Sequence, residues 1–242
     1  MRNFSKRFAL VARLSLSCVA MVAAGAHAAQ PYVTDDARLL PEGACQFEVG
    51  KRVLRGSREA WFLPACNAFG NIELTLGANR SWDVDGVRAT DLVVQAKGLF
   101  RELKANDYGL GWVASAEVHR HPQPDEKRVG GMAASAIFSR SFFDDTLFFH
   151  ANAGARRLLD TGTTAATWGL AGEFNVVHER FAVIAETADT TRSRRGYQAG
   201  LWFALVPDRL ELDVSVGGEA RDFRRTRYWT VGLRVITPPF LK

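Results

Sequence analysis

Fourteen ionisable residues recur at positions that alternate with apolar ones: Glu48, Arg52, Glu73, Asp91, Lys97, Arg101, Glu117, His150, Arg156, Glu173, Glu186, Glu211, Asp213 and Arg234. Charges of both signs on one face of a series of extended segments call for pairing or water wherever that face is enclosed. Two arrangements satisfy that demand. In one, the side chains form a salt-bridged network that fills a narrow interior. In the other, they line a polar pathway.

Nucleophilic chemistry has a thinner basis. His119 and His121 lie near Ser115, while His150 and His178 stand apart in the chain. One serine beside one histidine is a weak signal, because such catalysis is defined by geometry. No glycine-rich phosphate loop and no nucleophile elbow is present. No catalytic residue, metal ligand set or cofactor is therefore assigned, and the sequence does not read as an enzyme. Cys45 and Cys66 flank a turn near Arg55 and Gly56, with the turn at their midpoint. A hairpin in that register sets them opposite one another. In an exported chain a structural bridge is favoured over free thiols.

The elements that must position these groups are strands. The stretch 201–216, LWFALVPDRLELDVSV, alternates on both sides of Pro207 and Asp208. Leu201, Phe203, Leu205, Leu210, Leu212, Val214 and Val216 share one face, and Glu211, Asp213 and Ser215 take the other. Period two around a short turn predicts an antiparallel hairpin. The same unit recurs along the chain and predicts about twelve strands. Pro64 predicts a bulge or break in the second. The sixth, with Met132, Ala134, Ala136 and Phe138, distinguishes its faces poorly.

Connections alternate between tight turns (69–71, 141–145, 177–179, 206–208) and longer charged loops (119–128, 158–164, 190–195, 220–227). Aromatic residues gather near both sets of strand ends. Tyr108, Phe142, Phe143, Phe148, Phe174 and Phe181 lie near the turns; Trp82, Trp168, Tyr197, Tyr228 and Trp229 lie near the loops. Short turns on one side, long loops on the other and two aromatic girdles predict an all-β fold, an up-and-down antiparallel transmembrane β-barrel.

Residues 1–28 carry four basic residues, an apolar run over 14–24 and the sequence Ala26-His27-Ala28. This predicts a cleaved export signal. With four of the five excess positive charges there, the remainder is near neutral and gives no support for nucleic-acid binding. The expected organisation is a signal peptide over 1–28, a leader over 29–42 and a barrel over 43–242.

The leader, PYVTDDARLLPEGACQFEVG, resembles the opening of the outer-membrane β-barrel family named for the MetA pathway of phenol degradation. The resemblance is carried by Pro31, Thr34, Asp35, Asp36, Ala37, Gly43, Glu48 and Gly50. NIELTLGAN and DLVVQAKGLF are similar to that family's third and fourth strands. The resemblance implies a channel or transporter of the bacterial outer membrane for small compounds, hydrophobic or aromatic ones included. Its expected partners are outer-membrane lipid, the outer-membrane assembly machinery and a small solute that the sequence does not identify. For Thr34, Asp35 and Asp36 two readings stand open: anchorage of the leader to luminal arginines, so that it plugs the barrel, or an exposed turn of the kind Asx residues favour. Two other functions remain alternatives: a lipid-modifying hydrolase of the outer membrane, and a soluble periplasmic lipocalin-like barrel with its apolar face turned inward.

Overall fold

The protein is described from a computed structural model covering residues 33–83, 86, 88–120, 127–190 and 195–241. The signal-peptide expectation, His121 and the start of the leader lie outside the described residues.

Twelve strands form a closed antiparallel barrel in which each strand pairs with its sequence neighbours. They are β1 (Cys45–Leu54), β2 (Ser57–Cys66), β3 (Ile72–Asp83), β4 (Arg88–Arg101), β5 (Tyr108–His119), β6 (Val129–Phe142), β7 (Leu147–Leu158), β8 (Thr163–Val177), β9 (Phe181–Thr190), β10 (Gly196–Val206), β11 (Leu210–Glu219) and β12 (Tyr228–Ile236). Pairing of β1 with β12 closes the ring and sets Glu48 opposite Arg234. Closure removes the unpaired edges that an open sheet would present. A single helical turn, α1 (Phe223–Thr226), lies in the basic segment before β12.

Period-two patterning sorts the side chains as a lipid-facing barrel would, with the apolar set outward. Phe47, Val49, Val53, Leu74, Leu76, Val94, Val231 and Val235 are exposed on the exterior, while Gln46, Glu48, Glu73, Gln95, Glu186 and Glu211 are buried inside. A barrel folded for water would place these two sets the other way round. The 201–216 hairpin follows the rule: Trp202, Ala204, Glu211, Asp213 and Ser215 point inward, and Leu205 is exposed outside.

Pro64 interrupts the ladder between β2 and β3, where Leu63 and Pro64 make no pair, yet the register resumes unshifted at Ala65↔Thr75. Proline lacks the donor that the ladder needs, so the outcome is a break and not a bulge. The blurred faces of β6 also have a cause. Its inward position Ile137 is apolar, 1% exposed, and packs with Val113, Leu99 and Ala37.

Three expectations about direction need correction. Arg101 is not in the interior, because a bulge between Leu99 and Arg101 turns the end of β4 outward. Its guanidinium instead stacks on Tyr108 and pairs with Asp107 at the turn end. Phe148 and Tyr228, assigned to the girdles, point inward. Phe148 is 6% exposed and stacks with His150, and the Tyr228 hydroxyl donates to Gln198.

Candidate functional site

Inside the barrel lies the leader. Its described residues are held through main-chain groups as much as through side chains. The amides of Val33 and Thr34 donate to Glu186 at 2.8 and 3.0 Å. The Asp35 amide donates to Asn152, whose own amide group returns a bond to the Asp35 carbonyl. The Ala37 amide donates to Ser139 Oγ at 2.9 Å, and the Leu40 amide to Glu73 at 3.1 Å. Asn67, fully buried, donates to the Leu40 carbonyl. These strand partners lie on β3, β6, β7 and β9, so the leader follows one side of the interior.

Thr34, Asp35 and Asp36 are all buried. Lys97 on β4 reaches Asp36 at 3.0 Å and Asp35 at 3.9 Å. Arg38, within the leader, bridges Asp36 and Glu173 of β8, each at 2.8 Å, and lies over the Phe148 ring. The aspartates are therefore anchored by a luminal lysine and by the leader's own arginine, and not by luminal arginines. The two carboxyls, which belong to the leader and not to the strands, shift in opposite directions. Burial pushes Asp35 up to about 7, with Lys97 opposing. Burial also acts on Asp36, but Arg38 and Lys97 outweigh it and hold that carboxyl well below the usual carboxylate range.

The leader's base is tied to the chain's end. Phe240 and Leu241 donate their amides to the Gly43 carbonyl. Gly43 has φ +78°, and a side chain there would press on the Leu241 carbonyl, so the position requires glycine.

Further round the ring, β11, β12, β1 and β2 form a wall with three aligned rows. Pairing places Glu211, Arg234, Glu48 and Leu63 in one row. Asp213, Gly232, Gly50 and Trp61 form the next, and Ser215, Thr230, Arg52 and Glu59 the third. The two glycines make room: a Cβ on Gly50 would collide with the Trp61 ring, and one on Gly232 with the Asp213 carboxylate. Arg234 donates to Glu211 at 2.6 Å, Trp202 donates to the same carboxylate at 3.1 Å, and Trp61 donates to Glu48 at 2.7 Å. Arg52 approaches Glu59 at 3.5 Å and lies over Tyr228.

At the loop end, Asp91 meets His119 Nδ1 at 2.6 Å, Asp160 stands 3.6 Å from Nε2, and Arg156 pairs with Glu117 at 3.1 Å. Asp91, Glu117 and His119 bring donor atoms within 4.8 Å of one another, a three-ligand group in which Arg156 already neutralises Glu117. His119 thus engages carboxylates instead of Ser115. His150, 0% exposed, bonds Ser139 at 2.8 Å and has Glu173 at 3.8 Å on its other nitrogen. This serine, histidine and glutamate resemble a triad by type, but Ser139 Oγ is sealed under the Ala37 amide. Its role is to hold the leader.

Cys45 and Cys66, paired in register, are joined by a disulfide at the turn end of β1 and β2. A cleft of about 260 Å³ opens at the same end, bordered by Arg38 of the leader, Phe148, Glu173 and Trp202.

The chain belongs to the family described as Uncharacterised conserved protein UCP029691, whose model matches residues 16–236. No curated protein matches the sequence significantly. Among solved structures, the KdgM porin is similar at TM-score 0.58 and 10% identity over 78% of this chain and 98% of that one. That porin has also been solved in complex with disordered oligogalacturonate. The NanC porin is similar at TM-score 0.58 and 9% identity, over 79% and 98% of the two chains. An outer membrane channel from Pseudomonas putida F1 is similar at TM-score 0.57 and 9% identity, over 84% and 98%. At such identities the likeness is one of fold: a closed, twelve-stranded, porin-like barrel.

Proposed function

We propose that this chain is a channel of the bacterial outer membrane for small solutes, with the leader as a luminal plug. The observation that carries the proposal is the direction of the side chains: a closed barrel with exposed leucine, valine and phenylalanine outside and buried charge within. An apolar exterior is stable in lipid, and a closed ladder leaves no backbone donor bare there. A cleaved export signal, lipid around the barrel and insertion by the outer-membrane assembly machinery belong to the same proposal. In that orientation the tight turns face the periplasm, and so does the base of the leader at Gly43.

The leader's likeness to the family named for the MetA pathway supports transport of small compounds. The interior chemistry favours polar solutes, since carboxylates, guanidinium groups and amides line it together with the inward rings of Trp61, Phe148, Trp202 and Tyr228, three of which are themselves engaged by polar side chains. An oligogalacturonate, the polyanion bound by one structural relative, is a poor match for an interior richer in acids than in bases.

Reconstitution of the folded protein in planar bilayers tests the proposal. Discrete conductance steps are expected. Correctly folded protein that inserts and yet carries no current, even after the leader is loosened, would overturn it.

A further inference from the structure

The plug is eccentric. The strand side chains that hold the described leader lie on β3, β4, β6, β7, β8 and β9. The remaining inner wall is built from β10, β11, β12, β1 and β2. The cleft at the turn end is bordered by Arg38 of the leader, by Phe148, Glu173 and Asn175 on the leader-holding side, and by Trp202 of β10, which is hydrogen-bonded to Glu211 of that wall.

That wall has an excess of acid. Glu48, Glu59, Glu211 and Asp213 face Arg52 and Arg234, four carboxylates against two guanidinium groups. It also has oxygens with no partner. Among the described residues, Glu48 Oε2, Ser215 Oγ and Thr230 Oγ1 are buried without a hydrogen bond, on three adjacent strands, and their residues are 5%, 3% and 8% exposed; one donor of the wall, Arg52 Nε, is buried without a partner as well. Buried carboxylates without a counter-charge are costly, and buried oxygens without a donor are rare in finished structures. A cation passing along the wall supplies what both need. The indole groups of Trp61 and Trp202 hold Glu48 and Glu211 in place from the side, so these carboxylates keep their direction.

We infer that the β10–β2 wall is a cation-selective path beside the plug, taking small inorganic cations and compact ammonium or guanidinium solutes. The inference rests on the channel reading and adds the sign of the solute to it. A cleft lined by one sign of charge between low-dielectric walls concentrates counter-ions, by roughly tenfold or more.

The test is the reversal potential of the full-length protein in planar bilayers under a potassium chloride gradient, with K⁺ and Cl⁻ as the probes. The expected result is a K⁺ over Cl⁻ permeability ratio of roughly ten or above. The paired variant Glu48→Gln with Asp213→Asn, checked for wild-type heat-modifiable migration, should bring that ratio severalfold closer to one. If the pair fails to fold, the wild-type protein at about 1 M salt serves instead. The Debye length there falls to roughly 3 Å, and the ratio should decline towards one. Anion selectivity, or no selectivity at low salt, overturns the inference while leaving the channel standing. A complete lack of conductance from inserted, folded protein overturns the channel reading and this inference with it.

Discussion

Lys97→Met is the sharpest perturbation of the plug. Lys97 is 6% exposed, and its ammonium lies 3.0 Å from Asp36 and 3.9 Å from Asp35. Methionine keeps the length of the side chain and removes the charge. Stripping one partner from a buried ion pair costs about 3–5 kcal/mol, because the remaining charge is left uncompensated. Arg38 still reaches Asp36 at 2.8 Å, so the lower end of that range applies. The leader has other attachments, chiefly the amide bonds to Glu186, Ser139 and Glu73. Neutral bonds of this kind contribute about 1 kcal/mol each, and those to a charged acceptor about 1.5–3. A loss of about 3 kcal/mol is therefore a large share of the whole, and moves the docked-to-released ratio by roughly two orders of magnitude at ~1.4 kcal/mol per decade. Two assays report it: cleavage by trypsin at Arg38, which release exposes, and the fraction of time spent in the higher-conductance level in bilayers. Both should rise. Adding Asp36→Asn to Lys97→Met removes the stranded carboxylate and should restore part of the protection. Wild-type cleavage and conductance in Lys97→Met would refute the reasoning that the lysine latches the leader.

Other outcomes follow from the same geometry. Val94→Arg, on the exterior at 47% exposure, should destabilise the barrel in lipid by about 2–4 kcal/mol, seen as a lower midpoint in urea refolding into vesicles; an unchanged midpoint would argue against a lipid-facing surface. Cys45→Ser should lower stability by about 3 kcal/mol, the chain-entropy value for a closed loop of this size, and reduction of the wild type should have the same effect on thermal unfolding. Asp35, raised to about 7 by burial, favours the docked leader while protonated; that contribution is complete in acid and lost as pH rises through about 7. Leader release should therefore increase progressively between about pH 4 and pH 7, read as the fraction of time in the higher-conductance level, and Asp35→Asn should flatten the profile. Asp36 has the opposite sign: its contribution is full above the ordinary carboxylate range and is lost only in strong acid.

The strands and their faces were legible because period two is a local property, and Glu48, Glu73, Glu117, Glu211 and Asp213 each sit between two outward apolar residues. Where local pattern and tertiary geometry part, the sequence misleads. Arg101 continues the inward parity of Lys97 on paper, but one extra residue in a bulge reverses it. Phe148 and Tyr228 lie near strand ends like true girdle residues, yet the pleat turns them inward. Glu59 escaped notice because its strand, interrupted at Pro64, has a weak alternation, although it faces Arg52. The leader's motif pointed to anchoring through Asp35 and Asp36. It could not reveal that most of the docking is made by main-chain amides meeting Glu186, Ser139 and Glu73, since any residue type supplies an amide. The wall of Glu48, Glu211 and Asp213 depends on the closure of β1 on β12, a contact between opposite ends of the chain that no local spacing encodes.

Cell fractionation combined with gel migration before and after boiling distinguishes a lipid-embedded barrel with its charge turned inward from a barrel folded for water. The protein should sediment with the outer membrane, resist extraction by alkaline carbonate, and migrate faster unboiled than boiled. Recovery in the soluble periplasmic fraction without detergent, with a single migration position, would contradict it and reverse the assignment of every strand face.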